Sequence, residues 1–203
     1  MHVVFLVEEA SVRVALDNLL PSILGEDVEF EIQAYQGKDH LLSKLPNHLK
    51  GYKPWLPDDW RIVVLIDEDR EDCIKLKQQL EDIAADVGLV TKTAAGTDRP
   101  FQVLNRLVIE ELEAWFFGDV EAICAAYPRI SPNLAQQRKY RNSDAVSGGT
   151  WEALERELQK KGYYPDGLSK LVAAREISQH MNPERNNSHS FQVFRDALLQ
   201  MVQ

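Results

Sequence analysis

Two unbroken apolar runs, His2–Val7 and Ile62–Ile66, each break directly into a cluster of acids. An uninterrupted apolar run of five or six residues suits a strand covered on both faces, the kind found in parallel sheets. Glu8 and Glu9 follow the first run; Asp67, Glu68 and Asp69 follow the second. In an open parallel sheet, ligands gather outside the carboxyl ends of the strands, so both clusters stand where a site belongs. If the two strands are neighbours, their carboxylates converge on one rim.

The rest of the first half fits this reading. Val12, Leu16, Leu19 and Leu20 fall at helical spacing within 10–24, and residues 28–35 alternate with period two, as an edge strand does. A short helix is predicted over 38–49, a Pro/Trp-rich connection over 52–59, and an amphipathic helix over 72–87 carrying Ile74, Leu76, Leu80 and Ile83. Residues 94–100 form a turn-rich break, and 103–109 read as another strand, leading into a helix over 110–117. Strand and helix in alternation predict an α/β fold with a mainly parallel sheet flanked by helices. Beyond Gly118 the pattern becomes short helices (120–127, 151–160, 168–180 and 191–202) joined by Pro/Asn/Ser/Gly loops. The expected organisation is an α/β core over 1–118 and a helical C-terminal lobe over 119–203, packed on that core.

Composition narrows the classes. No stretch approaches the roughly 20 apolar residues of a membrane span, and the first strand lacks a basic flank and a cleavage site. A cytoplasmic protein without membrane contact is expected. The two cysteines, Cys73 and Cys124, stand in separate segments, which argues against a zinc site or a disulfide framework. Net charge is −9, of which residues 1–100 carry −8. A free-standing nucleic-acid binder presents a basic footprint. Here any such grip must come from local patches, bound metal or a basic partner.

Crowded carboxylates raise one another's pKa, and a bound Mg²⁺ relieves that repulsion with oxygen ligands and retained waters. Asp67 and Asp69 on one turn can aim at a single ion, with Glu8 arriving from the other strand. Acids after a strand also serve as helix N-caps, and Glu71 and Asp72 suit that role. A third acidic group, Glu110, Glu111 and Glu113, follows the 103–109 segment and could supply a second metal site or a solvated first helical turn. Glu113, beside Trp115, is the favoured ligand among them. Arg106, Lys170 and Arg175 are candidate phosphate contacts. Arg138, Lys139 and Arg141 read as a solvated run that could also meet phosphate. The five histidines show no ligand spacing.

A first strand ending in Val7-Glu8, a helix, a second strand, and a later strand ending in Asp67-Glu68-Asp69 resembles the TOPRIM pattern of topoisomerases, bacterial primases and OLD-family nucleases. Phe5–Ser11, Asp67–Cys73, Glu111–Trp115 and Asn187–Phe194 are similar to a group of small bacterial TOPRIM-like proteins of unknown function, encoded beside AAA-type ATPases in phage-defence loci. The resemblance implies a TOPRIM-like Rossmannoid core. It also implies Glu8 as catalytic acid/base and metal ligand, Asp67 and Asp69 as catalytic metal ligands, Mg²⁺ or Mn²⁺ as cofactor, and a DNA or RNA substrate. An AAA-type ATPase is the implied partner. The chain departs from the pattern at Glu9, where TOPRIM domains carry Gly, and at Ser11 and Val12, where OLD-type nucleases carry a further acid.

Rivals are weaker. A response-receiver fold needs a Lys closing a later strand, and Lys92 is its one candidate. A haloacid-dehalogenase phosphatase needs its Asp-x-Asp after the first strand. A catalytically inactive subunit that works by binding an ATPase is the alternative from another class, favoured by Glu9 and the acidic balance.

Overall fold

The computed structural model describes residues 1–69, 71–97 and 99–202. Arg70, within the Asp67–Cys73 motif, and Asp98, within the turn-rich 94–100 break, lie outside the described residues. The chain is α/β, with a four-stranded all-parallel sheet flanked by helices. Its first half runs β1 (His2–Val7), α1 (Ala10–Leu24), β2 (Glu29–Ala34), α2 (Lys38–Tyr52), β3 (Trp60–Asp67), α3 (Cys73–Asp86), the short α4 (Lys92–Ala95) and β4 (Val103–Val108). The second half is helical: α5 (Glu113–Phe117), α6 (Val120–Ala126), two 3₁₀ turns (Pro132–Gln136 and Ser143–Ala145), α7 (Thr150–Lys160), α8 (Lys170–Ser178) and α9 (His189–Val202). No helix among the described residues is long and apolar enough to cross a membrane.

Strand order is β2-β1-β3-β4, and β1 pairs in parallel with both β2 and β3. The chain therefore leaves β1 toward one side of the sheet and leaves β3 toward the other. Adjacent strands whose connections diverge open a crevice at their carboxyl ends, the switch point where ligands of such sheets bind. Here that crevice lies between β1 and β3.

The chain divides into two compact units, one of 1–13 with 26–107, the other of 14–25 with 108–203. The first is organised by the alternation of side chains between the two faces of its sheet. Val4, Leu6, Ile62, Val64 and Ile66 share one sheet face with Leu41, Leu45 and Leu49 of α2 and Leu76, Leu80 and Ala84 of α3. Strand β2 alternates exposed and half-buried residues, as its edge position requires. Helix α3 starts where Asp72 caps it, its carboxylate accepting from the N–H groups of Ile74 (3.0 Å) and Lys75 (3.2 Å). Helix α2 runs three residues beyond the 38–49 expected, continuing through Pro46.

The second unit is built on aromatics. Trp115 is fully buried, stacks on Phe194 at 5.1 Å and meets Phe191 edge-on at 5.1 Å. Its indole N–H donates to Ser190 Oγ (3.0 Å), and its carbonyl accepts from Asn186 Nδ2 (2.8 Å). A Cβ on Gly118 would come within 2.8 Å of the Ser188 backbone N, so only glycine allows this approach. The Asn187–Phe194 motif is thus a packing device: Ser188 and Ser190 both bind the Asp144 carboxylate, and Ser190 also accepts from Trp115.

Candidate functional site

Three strand ends deliver polar side chains to the carboxyl rim of the sheet in the first unit. Strand β1 delivers Glu8, β3 delivers Asp67 and Asp69, and Lys38 opens α2 just after β2. Glu8 Oε2 accepts a hydrogen bond from the Asp67 N–H at 3.2 Å, which closes the switch-point crevice. Both acids are buried, at 9% and 4% exposure, because the apolar strands that carry them are sealed on both faces.

Burial pushes the Glu8 carboxyl up to about 7. The Asp67 N–H and Lys38 pull it down, while Asp69 and Glu9 push it up. Desolvation wins because one backbone donor does not replace the hydration that the carboxylate has lost.

Lys38 supplies the local positive charge. Its Nζ lies 3.1 Å from Asp69 Oδ2, donates to Glu71 Oε1 at 2.9 Å and donates to the Glu68 carbonyl at 2.9 Å. Burial opposes the ammonium, but its bonds to Glu71 and Asp69 outweigh that and raise its pKa. Asp69 sits in the left-handed region, φ 51°, and this turn carries its carboxylate to Lys38. Glu71 is therefore a partner of Lys38 rather than a cap of α3, a role Asp72 fills alone. Sequence reasoning missed Lys38. Its signal was available: a Gly-Lys step straight after β2, the third strand end to reach this rim.

Glu9 is half-buried and accepts from the hydroxyl of Ser11, so it is tied to its own helix start. Among the described residues no group of three or more His, Cys, Asp or Glu side chains closes into a ready ligand set. Glu8 and Asp67 are joined, and Asp69 is turned to Lys38. The donor set still fits a hard divalent cation. Mg²⁺ is commonly held by one or two carboxylates with several waters, and a buried, undercompensated Glu8 is the group a cation would relieve.

The other candidates lie elsewhere. Arg106 is on β4, where burial lowers its pKa and Glu81 opposes that. In the second unit, Glu111 Oε2 accepts from Thr150 Oγ1 and the Trp151 N–H, both at 3.0 Å, and so caps α7. Lys170 lies 3.4 Å from Glu111 Oε1, so these two candidates, one for metal and one for phosphate, face each other. Burial works against the Glu111 charge, yet Trp151, Lys170 and Thr150 hold its carboxyl below the usual range. Glu113 begins α5 and is 1% exposed. Glu110 precedes the helix at φ 62°, so no helical face is shared by Glu110 and Glu113. Arg175 is exposed on α8.

A family model described as a domain of unknown function, DUF4276, matches residues 7–199. The chain belongs to this family. The match takes in both strand ends that form the rim and almost all of the helical second unit. No curated protein and no solved structure matches the chain.

Proposed function

We propose that this DUF4276 protein is a TOPRIM-like, metal-dependent nuclease that hydrolyses phosphodiester bonds of DNA or RNA, working under an AAA-type ATPase in anti-phage defence. The observation that carries the reading is the 3.2 Å hydrogen bond that the Asp67 backbone N–H donates to the Glu8 carboxylate at the β1/β3 switch point. The defence setting and the ATPase rest on the resemblance of Phe5–Ser11, Asp67–Cys73, Glu111–Trp115 and Asn187–Phe194.

On this reading Asp67 and Glu8 would hold Mg²⁺ or Mn²⁺, which would supply Lewis-acid polarisation of a phosphate oxygen and a water of lowered pKa. Burial holds the Glu8 carboxyl up at about 7 in the metal-free protein, so at neutral pH binding of the ion draws off its proton. Lys38 fixes Asp69 and Glu71 and sets a positive charge at the rim, within reach of a phosphate. The test is Mn²⁺-dependent cleavage of plasmid DNA and of structured RNA. Asp67→Ala is expected to return the rate to background, and Glu8→Gln to lower it about 100-fold or more. Cleavage that persists in both variants overturns the reading.

One observation favours a second reading. The Lys38 ammonium already neutralises Asp69, as a built-in cation does in a scaffold that has given up metal. On that reading the chain is a catalytically inactive subunit that binds an ATPase. Its association with that partner then survives Asp67→Ala, and no cleavage appears.

A further inference from the structure

The outer edge of the sheet carries a second, chemically different feature. It runs along β2 to Trp60, which opens β3 about 23 Å from Asp67 at the usual rise per strand residue. A cleft of about 470 Å³ is lined there by Glu31, Gln33, His48, Tyr52, Trp55 and Trp60, among others. Its wall is aromatic. Tyr52 meets Trp55 at 5.3 Å, Trp55 meets Trp60 at 5.6 Å with planes at 76°, and His2 stacks on Trp60 at 4.0 Å.

Trp55 is 55% exposed, although its aromatic neighbours hold it in place. A rigid indole kept in water beside two other rings is what an aromatic recognition surface looks like before it is covered. The lining holds one carboxylate, Glu31, and no lysine or arginine. Burial and the neighbouring Glu31 carboxylate keep the Tyr52 hydroxyl protonated, so it stays a donor to that acid. The His48 ring is occupied by the Tyr35 hydroxyl. An anion beside exposed π faces selects a cation.

The backbone adds a constraint. Strand β2 is an edge of the sheet, with β1 its one strand neighbour, and Glu31 and Gln33 project from it on the face shared with Val4 and Leu6. An edge offers a row of N–H and C=O groups to an incoming extended segment, whose alternate side chains then fall on one face.

We infer that the β2 edge and its aromatic cleft bind an extended, arginine-bearing segment of a partner protein, with the guanidinium laid on Trp55 and bonded to Glu31. Arginine fits better than lysine because its planar, weakly hydrated group stacks on indole while its fork of donors meets a carboxylate. Residues 1–100, which include this cleft, carry −8 of the net −9, which complements a cationic segment. The inference is independent of any nuclease activity.

The probe is a capped peptide of alternating threonine and valine with one central arginine, titrated into the full chain. Tryptophan fluorescence and the backbone amide resonances of residues 29–34 are followed. Saturable quenching with shifts along β2 is expected, with the glutamine-for-arginine twin about tenfold weaker. Trp55→Ala and Glu31→Gln, both surface changes checked by circular dichroism, are each expected to weaken the arginine peptide about five- to tenfold. Equal binding of the two peptides, no binding at millimolar concentration, or full affinity in both variants overturns the inference. So does free arginine binding as tightly as the peptide, which marks a small-cation site. Stronger quenching by single-stranded oligothymidylate also overturns it, since the wall is then a platform for bases.

Discussion

Glu8 and Glu111 look alike in sequence, each part of an acidic pair that follows an apolar segment, but their surroundings treat them in opposite ways. Both lose hydration, and burial is the largest influence on each. Glu111 receives a backbone N–H, a threonine hydroxyl and the Lys170 ammonium, which hold its carboxyl below the usual range. Glu8 receives one backbone N–H, feels Lys38 only at a distance, and rises to about 7. The contrast separates a structural acid from a poised one. A fully compensated carboxylate stabilises the fold, whereas an undercompensated one stores free energy that a cation or a proton can release.

The largest expected effect comes from removing the poised charge. Glu8's folded pKa is raised, so the wild-type protein loses stability as pH climbs from about 4.5 to about 7 and carries the full penalty above that. That penalty is on the order of 3 kcal/mol. Glu8→Gln keeps an acceptor for the Asp67 N–H without the charge. It is expected to stabilise the metal-free protein in urea melts at pH 8 by about 2–3 kcal/mol. The gain should shrink toward zero near pH 4.5. An equal gain at both pH values breaks the comparison.

Glu111→Gln should act the other way, costing about 1–2 kcal/mol at pH 7 through the loss of charge-assisted bonds to Lys170 and α7. Its folded pKa is depressed, so the contribution is complete above the usual carboxylate pKa and is lost as pH falls through the lowered one. Melts at pH 7 and pH 3 check this, since the variant should approach wild type at the lower value.

A smaller effect sharpens the contrast. Lys38→Met removes a charge that lowers the Glu8 pKa, so the Glu8 carboxyl, followed by carbon-detected resonance titration, should move above 7. Glu111 should keep its titration midpoint.

The fold was legible wherever burial writes itself into local pattern. The apolar runs of β1 and β3, the alternation of β2 and the Asp72 cap of α3 all lie in contiguous residues. What escaped depends on non-local contact. Residues 14–24 of α1 group with the helical unit although the first turn of that helix groups with β1, and no periodicity reports which neighbours a helix keeps. The expected helix over 110–117 begins only at Glu113, because Glu110 adopts a left-handed conformation that glutamate seldom takes. At the rim, the apolar-to-acid transitions pointed to Glu8 and Asp67, and the sheet brings the two together. Lys38 was easy to pass over because a lysine at a helix start looks like any solvated charge until the strand order puts it beside Asp69.

The central claim is that an undercompensated Glu8 at the β1/β3 crevice shares a cation with Asp67, and calorimetric titration with Mn²⁺ at pH 8 tests it most directly. Saturable binding is expected in the wild type, weakened about tenfold or more in both Glu8→Gln and Asp67→Asn and unchanged in Glu111→Gln. Binding that ignores Glu8 and Asp67, or no binding at all in the wild-type protein, contradicts it.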